Sequence, residues 1–518
     1  MRIATNVSAI VSNNALQKSQ DRLTKSIARL SSGYKINSSS DDAAGYAISE
    51  KMRLQLRGLN QADNNAADGV SVLHTAEGAM EEIQSMLARM KELSVQAANG
   101  TNSVDERSAI QSEIDSLNSE IDRISSNTEF NSQTLISGNL SRRVYSNYEG
   151  VNQIEVSDNF VAGNYGITIT QDARQAIVVG NGAVTMSDTA TVTKEQAGTI
   201  SMNGYGIEIS EGDTLAGIMG KLVDGADKIG GRVFAITAGA TNDTKVNGTD
   251  YAGYEPQTSY AGNNIVFMTK ESGSSKTMNI TCSNAELANM LGIATAATNS
   301  GMYAEGSDVQ AEFTLDNDGK RVGFADSAVI STSGTRVTVK DVNNRTFVTD
   351  VPSNVAGTQF SDTAKADDKS TATSTQTAKV TQEVTDVGTM SVHVGANENQ
   401  VILIDIPAVT SYTLGTENLN VMTSVTASEA IDTIDTAVAY ANRVRSQMGA
   451  YENRFEHTTN NLGTASENLT SAISTMTDTD MAEEMTEYTS QTVLTQAATS
   501  ILSQANQRPS EVLQLLQK

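Results

Sequence analysis

Apolar residues recur every three or four positions along both ends of the chain, and this spacing predicts long α-helices there. The first helix is predicted from about Asn6 to Ser31. An apolar residue occupies every seventh position, and Ile27 flanks the row, which consists of Ala9, Leu16, Leu23 and Leu30. The apolar stripe is narrow and the rest of the surface is polar. Such a helix needs a partner, because it cannot bury its own stripe.

Two more helices are predicted before residue 141. The first runs from Ala43 to Ala98 and is roughly 80 Å long, with Asn99-Gly100 as its stop. Its heptad rows are Leu59, Ala66, Leu73, Met80, Leu87 and Ala62, Gly69, Ala76, Ile83, Met90, Ala97. The small residues among them predict close helix approach. The next helix opens with Ser103 and Glu106, which fit a capping box, and folds back antiparallel.

Helical periodicity returns near Thr426, where Thr426 and Glu429 fit a second capping box. A row of seven-residue steps follows, made of Ile434, Ala441, Met448, Phe455, Leu462, Leu469 and Met476. A break at 477–480 precedes a last helix, predicted from Met481 to about Gln507. We expect Pro509 to disturb that helix at its very end.

Between about 141 and 387 the composition changes to Thr, Ser, Gly, Asn and Val, with alternating stretches at 165–170 and 336–340. This pattern predicts β-strands. Residues 361–377 are poor in apolar residues and are interpreted as an exposed linker or loop. The predicted fold class is mainly α at both ends, as a long coiled-coil helical bundle, with a β-rich or α+β inserted outer region.

Charge narrows the range of partners. The chain has 36 basic and 61 acidic residues, a net charge of −25, so neither nucleic acid nor an anionic membrane surface is an expected partner. No apolar stretch is long enough to span a membrane. Residues 1–40 hold six basic residues against one acidic, whereas residues 478–487 hold five acidic residues and no basic one. This contrast favours pairing of the two ends.

No catalytic, cofactor-binding or metal-binding constellation is predicted, so we expect that the chain is not an enzyme. The three histidines form no H-E-x-x-H pattern, and we interpret His74, next to core-facing Leu73, as structural. The only cysteine, Cys282, is interpreted as a small buried residue. The first ten residues lack a secretory signal pattern.

Several motifs occur in a consistent order within the two ends of the chain, which together comprise about 240 residues. They include LSSGYKINSSSDDAAG at Leu30–Gly45, RMKELSVQ at Arg89–Gln96, ANGTNS at Ala98–Ser103, TEFN at Thr128–Asn131, NRFEHTTNNL at Asn453–Leu462 and ILSQANQ at Ile501–Gln507. In these motifs the chain resembles the bacterial flagellins.

The resemblance implies a layout of three domains. Residues 1–42 and 478–518 are expected to form the innermost terminal-helix domain. Residues 43–140 and 386–477 are expected to form a long-helix bundle with a β-hairpin at His393–Gln400. Residues 141–385 are expected to form a variable, surface-exposed insertion, with two subdomains. Within it, 198–293 resembles a small α+β repeat shared with filament-cap proteins, and a generic strand–turn–helix unit is the alternative.

The resemblance also implies a function. The expected role is a subunit of the extracellular flagellar filament, a helical homopolymer used for swimming. The expected route is export by the flagellar secretion apparatus without a cleaved signal peptide. Expected partners are a chaperone at the C-terminal helix, the filament cap and hook-junction proteins. The terminal helices are expected to become ordered only on assembly.

A recognition site is implied as well, because flagellin monomers are bound by a Toll-like innate immune receptor. Arg89, Leu93 and Glu113 match receptor-contacting positions of the family, with Glu92, Val95 and Gln96 alongside. Met90 and Lys91 depart from the family pattern, where Val and Arg are common. The alternative is that this surface packs against the next subunit. Both can hold, because receptor binding would then require depolymerised monomer.

Two other functions stay open at this point. A hook–filament junction protein shares the terminal helices but assembles into one short ring. A secreted coiled-coil translocator or adhesin is the other alternative, and it should carry membrane-active apolar segments.

Overall fold

The computed structural model describes residues 6–157, 160–237, 259–293, 302–316, 318–342, 345–353, 355–356, 359–360, 372–374, 377–385 and 387–516. The chain divides into two compact units. One comprises residues 1–70, 392–402 and 453–518, and the other comprises 71–391 and 403–452. Much of the predicted linker 361–377 lies outside the described residues, apart from 372–374 and 377.

The described residues form eight helices. These are α1 (Val7–Ser32), α2 (Ala43–Ala98), α3 (Val104–Asn127), α4 (Leu215–Lys228), α5 (Ala285–Met290), α6 (Ser411–Leu414), α7 (Ser424–Thr477) and α8 (Met481–Leu516). The bounds of α2 are those predicted from its heptads. The capping box before α3 is confirmed, since the Ser103 amide donates to Glu106 at 2.7 Å and the Glu106 amide donates back to the Ser103 hydroxyl at 3.3 Å.

Three predictions about helix details are wrong. The cap of α7 consists of Thr423 and Thr426, whose amides each donate to the other's hydroxyl at 3.1 Å, and Glu429 does not close a box with Thr426. α8 continues past Pro509, because a proline removes one amide hydrogen bond and crowds one carbonyl, and a helix can bend there without ending. Ile27 is 49% exposed and flanks no core.

The strands lie mostly in the inserted region. They are β1 (Glu129–Phe130), β2 (Gln133–Thr134), β3 (Val144–Ser146), β4 (Asn152–Val156), β5 (Gly163–Gln171), β6 (Gln175–Val179), β7 (Gly198–Met202), β8 (Tyr205–Ile209), β9 (Gly231–Thr237), β10 (Asn263–Ser272), β11 (Thr277–Cys282), β12 (Met302–Glu305), β13 (Gln310–Phe313), β14 (Val329–Ser333), β15 (Arg336–Lys340), β16 (Thr346–Asp350), β17 (Gln359–Phe360), β18 (Ala372–Ser374), β19 (Ala378–Val384), β20 (Met390–His393) and β21 (Val401–Ile404). The predicted hairpin at His393–Gln400 is confirmed as the connection between β20 and β21.

Two large hydrophobic cores organise the described part of the insertion. The first lies among the sheets β12-β11-β7-β8 and β6-β10-β9 and the helices α4 and α5, and Phe267 and Leu222 are fully buried in it. The second lies among the sheets β13-β5-β19-β3 and β14-β15-β16-β4, around Phe347 and its aromatic neighbours. Strand β5 pairs antiparallel with β19, more than 200 residues away.

The long helices α2 and α7 run antiparallel within each unit. In the larger unit, Gln84 contacts Asn442 and Ser424 contacts the carbonyl of Ala98. In the smaller unit, the ring of Phe455 lies against Gly69, where a side chain would have no room. The predicted heptad rows from Ala62 to Ala97 are buried, which explains their small residues. None of the described helices has the length and hydropathy required to cross a membrane.

Candidate assembly and recognition surfaces

α1 and α8 pack along each other and join the two ends of the chain. The predicted row on α1 faces this seam, and all four of its members are half-buried. The facing row on α8 comprises Glu484, Tyr488, Gln491, Thr495, Ala498, Leu502 and Ala505. At the far end, the amide of the Asn6 side chain donates to the carbonyl of Ala505 at 2.8 Å.

The seam between α1 and α8 is rich in polar groups. Ser26 is buried and donates its hydroxyl to Glu484, and Arg29 forms an ion pair with the same carboxylate at 3.5 Å. Gln491 is buried, and its side-chain oxygen has no hydrogen-bond partner. A buried amide oxygen without a partner costs about 1–3 kcal/mol. This cost offsets part of the stabilisation that the pairing of the two helices provides.

Large apolar side chains on the same two helices point into solvent. On α1, Val7 and Val11 are 64% and 62% exposed, and on α8, Val493 is 58% exposed. The remaining members of this set are Ile10, Ile27, Met481, Met485, Leu494 and Ile501. Met485, Val493 and Leu494 also line a shallow open groove along α8. The apolar residues of the two helices are thus divided between the seam and the solvent, whereas in a self-contained coiled coil they fill the seam.

The loops that follow α1 and precede α8 are tied together by backbone hydrogen bonds. The Lys35 amide donates to the carbonyl of Thr477 at 2.6 Å, and the Thr479 amide donates to the carbonyl of Gly33 at 3.0 Å. Gly33 ends α1 with φ 76°, a left-handed conformation that glycine adopts without strain. The end of α1 therefore lies beside the break between α7 and α8.

The predicted charge contrast produces little direct pairing within the chain. In the described parts of α1 and α8, Arg29–Glu484 is the one ion pair that joins them. Lys18 and Arg22 form no ion pair with α8. Most of the basic and acidic side chains of the two ends thus remain in solvent, where exposed pairs contribute little stability.

A second candidate surface lies where α2 meets α3. Arg89 forms ion pairs with Glu113 on α3 at 2.9 Å and with Glu92 at 3.3 Å. Hydrogen bonds with Glu113 and then Glu92 raise the pKa of Arg89. All three side chains are substantially exposed, so the cluster presents a fixed guanidinium and two carboxylates to solvent.

The structure separates the other receptor-contact candidates. Val95 and Gln96 are exposed on α2, whereas Leu93 is 2% exposed and belongs to the core. Leu93 therefore cannot present its side chain to a receptor in this conformation, because that side chain is packed inside the helical bundle. The two departures from the family pattern also have structural roles. Met90 is buried, and Lys91 forms an ion pair with Asp435 on α7.

A buried carboxylate anchors the insertion to α7. Glu155 on β4 accepts two hydrogen bonds from Arg443, one from Nε at 3.0 Å and one from Nη2 at 2.6 Å. The Glu155 side chain is 8% exposed, whereas Arg443 is 39% exposed. Nothing in the sequence pattern indicated this pair, since its members lie 288 residues apart.

Cys282 and His74 have surroundings that differ from those predicted. Cys282 is half-buried rather than fully buried, and burial raises the pKa of its thiol, so it is a poor nucleophile. Leu73 is a core residue, but its neighbour His74 is not. The His74 side chain is 58% exposed, and its Nε2 lies 3.6 Å from Oε1 of Glu452.

Comparison with known proteins identifies relatives along the whole chain. The family model for the bacterial flagellin N-terminal helical region matches residues 3–141, and the one for the bacterial flagellin C-terminal helical region matches 431–516. A flagellin of Clostridium tyrobutyricum is 31% identical over 510 residues, covering 96% of this chain and 98% of its own. A flagellin of Salmonella typhimurium is 30% identical over 546 residues, covering 99% of each chain. The solved structure of FliC from Burkholderia pseudomallei is 14% identical and covers 74% of this chain and 99% of its own, with a TM-score of 0.22.

Proposed function

This chain belongs to the bacterial flagellin family and is a structural protein of the flagellar filament, and we propose that it acts by polymerising into an open helical homopolymer through α1 and α8. The observation that carries the proposal is the division of apolar side chains on these helices. The seam holds the half-buried apolar row of α1 beside polar residues of α8, and nine further apolar side chains of the two helices face solvent.

Burial of the exposed apolar set supplies a driving force for assembly. Nine side chains of α1 and α8 each leave about half of their surface or more in water. Full burial of one Val, Leu, Ile or Met side chain contributes about 1.5–3 kcal/mol, so the set contributes on the order of 10 kcal/mol per subunit. A contact in which one patch binds a different patch on the next copy generates a filament when its rotation does not close into a ring.

The sequence of α8 favours ordering on assembly rather than before it. Thr486, Thr489, Thr492, Thr495 and Thr499 each donate a hydroxyl to the carbonyl four residues earlier. Threonine has a low helix propensity, and this back-bonding slightly destabilises a helix. With a seam that is only partly apolar as its support, α8 is weakly held until neighbouring subunits cover it.

We further propose the three-domain layout expected from the sequence, with residues 1–42 and 478–518 innermost, 43–140 and 386–477 around them, and 141–385 outermost. The exposed groove at Met485 and Leu494 is the site that we assign to the export chaperone, because an exposed apolar helix face needs cover in the cell. Export by the flagellar secretion apparatus without a cleaved signal, and contacts with the cap and hook-junction proteins, belong to the same proposal.

A seeding experiment tests the polymerisation proposal. Monomer mixed with short filament fragments is expected to give micrometre filaments by negative-stain electron microscopy. Val493→Asp is expected to stop growth, because a charge would enter a subunit contact. Val329→Asp is the matched control, since Val329 is 66% exposed on β14. Discrete rings, as a junction protein would form, or equal growth of both variants would overturn the proposal.

A second proposal concerns the cluster on α2 and α3. We propose that depolymerised monomer binds the Toll-like receptor for flagellin through Arg89, Glu92 and Glu113, with Val95 and Gln96 beside them. The exposed, mutually oriented charges favour this role, since arginine is frequent among residues that dominate binding energy.

Receptor reporter cells treated with monomer test this second proposal. Arg89→Ala is expected to raise the half-maximal dose at least about tenfold, which corresponds to about 1.4 kcal/mol. Arg123→Ala is the matched control, because Arg123 is a similarly exposed arginine paired with Glu120 on α3. Equal doses for the two variants would refute the assignment.

A further inference from the structure

The two long helices bring three potential metal ligands together on one exposed face of the larger unit. His74 and Glu77 lie on α2, and Glu452 lies on α7. One ligand atom from each residue falls within 4.8 Å of the other two. No other group of three such side chains occurs in the part of the chain that the structure describes. Neither the family assignment nor the polymerisation proposal involves these residues.

We propose that His74, Glu77 and Glu452 bind a zinc ion that links α2 to α7. An imidazole and two carboxylates are ligands that zinc accepts, and three protein ligands with water in the fourth position form a complete tetrahedral set. Calcium and magnesium fit less well, because both prefer oxygen ligands and one ligand here is an imidazole.

The distances suit this ion with small side-chain movements. Ligand bonds of about 2.0–2.2 Å at the tetrahedral angle place two ligand atoms on one zinc about 3.3–3.6 Å apart. His74 Nε2 and Glu452 Oε1 already lie 3.6 Å apart. His74 and Glu77 are three residues apart on one helix and so share a face. All three side chains are at least 39% exposed, so they can rotate without disturbing a core.

Arg445 competes with the metal for one ligand. Its Nη2 lies 3.2 Å from Glu77 Oε1, while its Nη1 donates to Gln84. Zinc binding releases Glu77 from this ion pair, and Arg445 keeps its contact with Gln84. Removal of the competing guanidinium should therefore tighten zinc binding, which a site elsewhere on the surface would not show.

Isothermal titration of full-length monomer with zinc chloride tests the proposal. We expect one zinc per chain. His74→Ala and Glu452→Gln should each weaken binding at least tenfold, and Arg445→Gln should strengthen it severalfold. His457→Ala is the matched control, because His457 is an exposed histidine on α7 outside the group, and it should leave the affinity unchanged.

Amide hydrogen exchange provides a second readout. Zinc should slow exchange in α2 and α7 near His74 and Glu452, because one ion then joins both helices, and His74→Ala should abolish this protection. The proposal is overturned if no zinc binds, if His74→Ala and His457→Ala weaken binding equally, or if zinc binds without protecting either helix.

Discussion

Gly69 on α2 lies under the ring of Phe455 on α7. Replacing Gly69 with alanine has two opposite effects on stability, and the size of each is known. A glycine in a helix interior costs about 1 kcal/mol relative to alanine. At Gly69, however, the new Cβ would lie 2.9 Å from Phe455 Cζ and 3.1 Å from Cε1. The Phe455 side chain is fully buried, and protein interiors are close-packed, so moving the ring disturbs its neighbours. Overpacking of this kind costs about 1–3 kcal/mol.

Gly78 provides a matched control on the same helix, because it is exposed and a methyl group added there would have no other atom within 4 Å. We expect Gly78→Ala to raise the free energy of unfolding by about 1 kcal/mol. The free energy of unfolding of the Gly69→Ala variant should be lower than that of the Gly78→Ala variant by about 1–3 kcal/mol. Urea unfolding followed by far-ultraviolet circular dichroism measures both.

The ring of Phe455 is the group that the added methyl group would meet, so replacing Phe455 with a smaller residue should relieve the overpacking. Phe455→Leu should cost less stability in the Gly69→Ala background than in the parent chain, with a coupling energy of about 0.5–3 kcal/mol. If Gly69→Ala is as stable as Gly78→Ala, or if the two substitutions are additive, α2 and α7 do not approach each other closely at Gly69.

Three further predictions concern single residues. Glu155→Gln should lower the free energy of unfolding by about 1–3 kcal/mol in urea titrations, because it leaves a charged partner incompletely paired, whereas Glu120→Gln, in an exposed pair, should change nothing measurable. Thr423→Ala should cost about 1 kcal/mol by the same assay and increase amide exchange in the first turn of α7, because it removes half of the reciprocal cap. Burial raises the pKa of Glu429 above 4.5, so the native state holds the proton more tightly than the unfolded state. Stability should therefore fall as pH rises from about 4.5 through the raised pKa, and Glu429→Gln should remove this slope in a series of urea titrations.

The long helices could be predicted closely because their signal is local and repeated. The heptads of α2 mark its whole length, and its bounds at Ala43 and Ala98 are confirmed. The capping box at Ser103 was predictable because glutamate follows at the right spacing and nothing competes with it. Near α7 two threonines three residues apart cap each other, so the same pattern at Thr426 was misleading.

The surfaces were harder to predict, because burial depends on distant residues. Leu93 matched a receptor-contacting position, but its place in the heptad puts it inside the bundle. The apolar row of α1 indicated a partner, but not that α8 would meet it with Glu484 and Gln491. Strand order in the insertion was also out of reach, since pairing such as that of β5 with β19 joins residues far apart in sequence.

Amide hydrogen exchange of α1 and α8 in monomer and in filament tests the central claim most directly. A weakly held pair should open with a free energy close to zero in the monomer, so its amides should exchange nearly as fast as in an unfolded chain. In the filament the same amides should be protected by several orders of magnitude, since burial of the exposed apolar set contributes on the order of 10 kcal/mol. Equal protection of α1 and α8 in both states would contradict the account.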